Sequence, residues 1–181
     1  MRIGSVEFEK VGRIVVLTLD EPTKLNAISL GIRQGVTEGL ARIDADPDVR
    51  VGILTGRGDK AFCAGADISS FPETPEQARD FIAGVLPVLE APERCRKPLI
   101  AAVEGWCLGA GAELMMCADM VVAGSGARIG LPETNLGIMP GAGGTARQTK
   151  LPTVNTEFST ALLMGLVPSN HNATGLTDHL P

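Results

Sequence analysis

Two small-residue turns and two glutamates are the parts of this sequence whose types and spacing could do chemistry. The turns are Ala61-Phe-Cys-Ala64-Gly65-Ala66-Asp67-Ile68 and Gly105-Trp-Cys-Leu-Gly109-Ala110-Gly111-Ala112-Glu113. Residues without bulky side chains let a ligand approach the main chain, and a helix N-terminus leaves several N–H groups unpaired. Such groups suit an anionic oxygen. Two turns facing each other could form an oxyanion hole, often the largest single catalytic contribution. Taken alone, each turn is better read as tight packing of a strand against a helix.

Carboxylates supply the second element. Glu113 falls in the first turn of an expected helix, whose dipole should keep it ionised. Glu133 sits in Gly130-Leu-Pro132-Glu133, with Leu131, Leu136, Ile138 and Met139 close in sequence. If those side chains pack around it, desolvation raises its pKa and favours the protonated form. Two carboxylates driven apart in pKa make an acid/base pair. The alternative is a helix-capping glutamate plus a surface-loop glutamate, and both readings stand at this point.

The elements that must position these groups alternate. Ile14-Val-Val-Leu-Thr-Leu19 is a β-branched run closed by Asp20-Glu21-Pro22, a strand and a turn. From Ser29 to about Asp46, apolar Ile32, Val36, Leu40 and Ile43 recur at helical spacing, with Ser29 as N-cap and Pro47 as stop. Val51–Thr55 is a second strand. A helix is expected from about Pro75 to Leu89, with Glu76 and Asp80 near its positive end. Leu99-Ile-Ala-Ala-Val103 is an apolar strand suited to a sheet covered on both faces. The second small-residue turn then leads into a helix running to about Ala118, Met120–Ala123 is another strand, and Gly124 to Gly144 is loop-rich. This order predicts an α/β fold with active residues on its loops. Thr156 to Met164 could form a short helix, and no residue repeat of fixed period is present.

Composition narrows the class. The 181 residues are 44% hydrophobic and 20% charged, which places the chain among single-domain globular proteins. Its 22 glycines exceed the ~13 of average usage. A net charge of −5 without a basic run disfavours nucleic acid. No stretch approaches the ~20 apolar residues of a membrane span. Strand-like sequence begins within a few residues of Met1, so no signal or transit peptide is expected. Cys63, Cys95, Cys107 and Cys117 lack C-x-x-C spacing, which reads as reduced thiols of a cytoplasmic protein, with a zinc site or disulfide frame as the alternative.

Rival motifs do not hold. Asp44-Ala-Asp46-Pro-Asp48 has Val49 where a calcium loop needs glycine and Thr55 where it needs glutamate. Gly141-Ala-Gly143-Gly-Thr-Ala146 matches a dinucleotide fingerprint by letters, but it follows Pro140 and not a clear strand. His171 and His179 read as solvated tail residues, while Trp106, Met115 and Met116 read as core or pocket wall.

In order, Asp20-Glu-Pro-Thr-Lys-Leu-Asn26-Ala27, both small-residue turns, Lys97–Val103, Gly130–Glu133 and Leu136–Thr145 resemble the enoyl-CoA hydratase (crotonase) family. Agreement covers roughly residues 5 to 150. The resemblance implies an α/β, crotonase-like spiral of repeated ββα units, with residues 1–150 as a core carrying an acyl-CoA site. Residues 151–181 would be a weakly matching, shortened C-terminal segment of the same domain. Against the family pattern the chain reaches about two thirds of the usual length.

By position, the resemblance assigns the backbone N–H groups of Ala66 and Ala110 to the oxyanion hole. Ala110 stands where the family often has glycine. Glu113 and Glu133 fall at the catalytic positions, Glu133 giving the proton to C2 and Glu113 holding and activating the water. Lys24, Leu25, Ala27, Ala64, Asp67, Ile68, Gly109, Pro132 and Gly141 fall along the substrate. The implied reaction adds water across the C2=C3 bond of a 2-enoyl-CoA. It needs no metal and no cofactor, CoA being part of the substrate. A homotrimer or hexamer is the implied assembly. An isomerase on the same scaffold, or a weakly active acyl-CoA- or RNA-binding module, is the alternative.

Overall fold

The computed structural model describes residues 1–67, 71 and 74–147. Ile68, the helix expected at Thr156–Met164 and the segment 151–181 lie outside the described residues.

Strands β1 (Arg2–Ile3), β2 (Val6–Val11) and β3 (Ile14–Leu19) form an antiparallel meander. Period-2 alternation puts Val15, Leu17 and Leu19 fully inside. Helix α1 (Leu30–Ala45) follows as expected, with Ser29 Oγ accepting the Ile32 N–H at 3.2 Å. Its Ile32, Val36, Leu40 and Ile43 form the buried stripe. The helix is the crossover that lets β4 (Val51–Gly56) pair parallel to β3.

From β4 onward the backbone repeats. After β4 come β5 (Ala61–Cys63) and α2 (Pro75–Arg94). After β6 (Leu99–Val103) come β7 (Trp106–Leu108) and α3 (Ala110–Met116). After β8 (Met120–Ala123) come β9 (Arg128–Gly130), a 3₁₀ turn at Pro132–Leu136 and α4 (Gly144–Arg147). The first strand of each unit joins a six-stranded sheet, β1-β2-β3-β4-β6-β8, and the second joins a parallel three-stranded sheet, β5-β7-β9. This is the expected spiral of ββα units. No residue repeat accompanies it, because each unit needs only the same burial pattern, not the same letters.

Three expectations are corrected here. The small-residue turns each contain a three-residue strand, β5 and β7, too short to register as an alternating pattern. Helix α2 runs past Leu89 to Arg94 with Pro87 and Pro92 inside it. A Thr74–Gln77 capping box starts it, and burial of Val85, Val88 and Leu89 holds it against the loss of proline N–H groups. Of the core and pocket-wall readings of Trp106, the core one fails, since the residue is 44% exposed. Cys107 takes the inward position of β7, so its neighbour Trp106 must face out, where Arg128 Cζ lies 5.7 Å from its ring centroid. Met115 and Met116 are buried as expected. Among the described residues, no helix is long and apolar enough to cross a membrane.

Candidate active site

The first turn is held by the chain that precedes α1. Leu25 and Asn26 both adopt left-handed backbone, with φ of 52° and 55°. This reversal lets Leu25 O accept the Ala64 N–H at 3.0 Å, while the Ile28 N–H donates to Gly65 O at 2.8 Å. Asn26 fixes the reversal from inside. Its Nδ2 donates to Ala61 O at 2.7 Å and to Arg57 O at 3.2 Å, and its Oδ1 accepts the Glu21 N–H at 3.1 Å. Lys24, Leu25 and Ala27 thus run beside Ala64 and Asp67, and Lys24 Nζ bonds Asp67 Oδ2 at 2.8 Å. The fold sets next to one another five residues that the resemblance places along the substrate, with Lys24 and Asp67 on one cleft and Leu25 on another.

The second turn meets the first. Gly65 has φ 108°, and a Cβ built there would lie 3.0 Å from Leu108 O and 3.7 Å from Ala110 N. Ala66 therefore follows directly on a residue packed against the Leu108–Ala110 bend. Ala110 opens α3, so its N–H has no intrahelical acceptor. Among the described backbone groups, neither the Ala66 nor the Ala110 N–H has an acceptor.

The carboxylates come together here. Glu113 is 2% exposed, and its Oε1 accepts the N–H groups of Ala142 at 2.9 Å and Gly144 at 2.8 Å. Its side chain is thus held by amides from the segment around α4, not by the end of its own helix. Glu133 stands on the 3₁₀ turn that starts at Pro132, and its Oε2 is shielded from water with no hydrogen-bond partner. Burial pushes the Glu133 carboxyl above the ordinary value; a bond to its own backbone N–H opposes this, and the Glu113 charge adds to it. The direction is as expected, but part of the cause is not. Ile138 and Met139 are 47% and 76% exposed, so they do not pack around Glu133, whereas Leu131 is fully buried.

Sequence reasoning missed the donors of Ala142 and Gly144. Backbone N–H groups leave no mark in residue letters, and this segment stood out as a dinucleotide-like string and as one of the family motifs, with no role for its amides. Gly141, expected along the substrate, is exposed just before Ala142.

Two open clefts flank the first turn. One, about 590 Å³, is lined by Lys24 and Asp67; the other, about 340 Å³, by Leu25 and Asn26. Neither is lined by Glu113 or Glu133. Cys63, Cys107 and Cys117 are buried and Cys95 is half-buried, and burial pushes the Cys63 thiol up to about 12. Among the described residues, no group of three or more His, Cys, Asp or Glu could hold a metal ion.

A model of the enoyl-CoA hydratase/isomerase family matches residues 9–168. The chain belongs to that family. It is 42% identical over 154 residues to the short-chain-enoyl-CoA hydratase of Clostridium acetobutylicum, covering 83% of this chain and 58% of the relative. It is 39% identical over 139 residues to the carnitinyl-CoA dehydratase of Proteus mirabilis, covering 77% and 53%. The crystal structure of enoyl-CoA hydratase from Bacillus anthracis superposes with a TM-score of 0.78 at 34% identity, over 89% of this chain and 62% of that one. The chain therefore spans little more than half the length of the curated family members it matches. The family match extends past residue 150, beyond the stretch over which the quoted motifs agree.

Proposed function

We propose that this protein hydrates the C2=C3 bond of a 2-enoyl-CoA thioester. The observation that carries the reading is that buried Glu113 and half-buried Glu133 both stand beside two abutting turns. Relatives bearing enoyl-CoA hydratase names at about this level of identity support the same reaction. The carnitinyl-CoA dehydratase relative supports the bond change but widens the range of acyl groups.

In this reading the thioester oxygen lies between the Ala66 and Ala110 N–H groups. Addition at C3 pushes charge onto that oxygen, and two preorganised donors stabilise it more than they stabilise the neutral substrate. The water oxygen bonds C3 as its O–H bond breaks, and C2 takes a proton from Glu133. Burial keeps that carboxyl protonated to higher pH than an exposed glutamate, which suits it to give the proton. Glu113, anchored through Oε1, holds the water and takes the proton that the water loses on its other oxygen, and return of that proton to Glu133 resets the pair. Lys24, Leu25, Ala27, Ala64 and Asp67 line the approach of the CoA portion.

An isomerase on this scaffold needs one base. Two amides dedicated to orienting Glu113 favour the two-carboxylate reaction. A homotrimer or dimer of trimers goes with the proposal and is read by light scattering. The deciding experiment mixes the protein with crotonyl-CoA and follows loss of the conjugated-thioester absorbance. Turnover that disappears in Glu133→Gln supports the reading. A folded protein without turnover, or full turnover in that variant, rejects it.

A further inference from the structure

The amides that fix Glu113 belong to a stretch with little of its own to hold it. Pro140-Gly-Ala-Gly-Gly144 has only a proline ring and one methyl group as side chains, Gly141 is exposed, and Gly143 sits at φ 94°. Helix α4, which follows, is four residues long. Ordering glycines costs more conformational freedom than ordering any other residue. The Ala142 and Gly144 N–H groups nevertheless converge on one oxygen, Glu113 Oε1, at 2.9 and 2.8 Å. Something outside the stretch must hold it.

Arg147 does so from two sides. Its backbone N–H donates to Gly143 O at 2.9 Å, and its Nη1 donates to Ala142 O. Gly143 O and the Gly144 N–H belong to one planar peptide, so the first bond fixes the plane of a donor to Glu113. Ala142 O lies on the peptide between the two donors, so the second bond fixes their spacing. The guanidinium lies against the chain at Gly143, where a Cβ would strike Nη1. Its other nitrogens face α2: Nε donates to Glu93 Oε1 at 2.8 Å and Nη2 to Glu93 Oε2 at 2.9 Å. Such a two-bond fork is among the firmer ion pairs, the more so with only 14% of the Arg147 side chain exposed. Glu93 stands in the last turn of α2, which Val85, Val88, Leu89 and Pro92 seat in the core. The bond to Glu93 raises the Arg147 pKa against burial, and the Glu113 charge adds to the rise.

We propose that Arg147 is a positioning residue for hydration: through the Ala142–Gly144 peptides it sets the Glu113 carboxylate, and it takes its own rigidity from Glu93 on α2. What Glu113 does with that carboxylate rests on the hydration reading; the packing of Arg147 against the turn does not. A carboxylate slightly out of place still admits substrate but holds the water badly. The loss therefore belongs in kcat and not in KM.

Arg147→Met, Arg147→Lys and Glu93→Gln are compared with the wild type in crotonyl-CoA kinetics and in residue-resolved amide exchange. Arg147→Met should lower kcat about ten- to a hundredfold, with KM within about twofold of the wild type. Exchange at Ala142 and Gly144 should quicken by about tenfold or more, while Val36 and Leu40 in α1 keep their rates. Arg147→Lys keeps the charge without the fork and should fall between. Glu93→Gln should lower kcat by less, and adding it to Arg147→Met should cost nothing further, since Glu93 acts through Arg147. Wild-type kcat in Arg147→Met, a loss confined to KM, additive losses in the double variant, or exchange that quickens equally in α1 overturns the proposal. Should a melting curve show Arg147→Met unfolded, Arg147→Lys and Glu93→Gln, the latter at a side chain 42% exposed, decide by the same comparison. If the wild type does not hydrate crotonyl-CoA, the hydration reading fails on its own, and exchange at Ala142 and Gly144 then decides whether Arg147 holds the turn.

Discussion

Gly109 and Glu133 are in contact across the bend that opens α3: a Cβ added to Gly109 would lie 2.9 Å from Glu133 Oε1. Gly109 also adopts φ 52° and ψ −126°, a combination essentially reserved to glycine. Gly109→Ala should therefore strain the bend and displace the carboxylate at once. We expect a stability loss of about 1–3 kcal/mol and a fall in crotonyl-CoA hydration of roughly a hundredfold. Denaturant unfolding and steady-state kinetics on one preparation check both. A variant that keeps wild-type turnover would remove Gly109 from the site.

Glu133 carries the pH dependence. An unfolded glutamate ionises near 4.5, and burial raises that value in the folded protein. Across the window between the two values the folded state holds more proton. The stability contributed by the protonated carboxyl is complete below 4.5 and is lost as pH climbs through the folded value. Glu133→Gln cannot ionise, so its melting temperature should gain on the wild type as pH rises through that window. Wild-type kcat/KM should fall over the same rise, since the proton donor is being emptied. A melting difference that does not change with pH would contradict the assigned burial.

Thiol chemistry offers an independent check on the core. Cys63 and Cys107 are fully buried, and desolvation raises both, Cys63 to about 12. Almost no thiolate is available to attack a reagent in the folded state. Half-buried Cys95 should label first, with Cys63, Cys107 and Cys117 labelling only on unfolding. Mass spectrometry of protein alkylated before and after denaturation reads the order. Rapid labelling of native Cys63 would show that β5 and the turn after it open freely.

Legibility differed by element. Helix α1 was readable to its cap, because Ser29 and the apolar stripe from Ile32 to Ile43 are local signals. Strands β3, β4, β6 and β8 were readable as apolar runs. β5 and β7 were not, since Ala61–Cys63 and Trp106–Leu108 become strands only by pairing within the β5-β7-β9 sheet. At the site, both glutamates and both turns were legible as letters. What holds Glu113 was not, because Ala142 and Gly144 act through amide groups that every residue but proline carries. The outward face of Trp106 was likewise hidden, depending on which neighbour of β7 the core claimed.

Asn26 gives the most demanding test of how the first turn is built. It is 1% exposed and satisfies three backbone groups, on Glu21, Arg57 and Ala61, while holding a left-handed φ of 55°. Asn26→Ala strands all three groups and puts alanine in a conformation that costs it about 1–2 kcal/mol. The total loss should reach about 3–5 kcal/mol, at the upper end for single substitutions. Asn26→Asp separates hydrogen bonding from shape. It keeps the acceptor for the Glu21 N–H but sets a carboxylate against two carbonyl oxygens it cannot donate to. That variant should be strongly destabilised at neutral pH and partly recover as pH falls, because the protonated acid regains one donor. Urea midpoints at two pH values measure this. Amide exchange at Ala64, whose N–H is held by Leu25 O, reports whether the first turn loosens with them. If Asn26→Asp is as stable as the wild type at neutral pH, the Asn26 bonds to Ala61 and Arg57 do not hold the turn that carries Ala66.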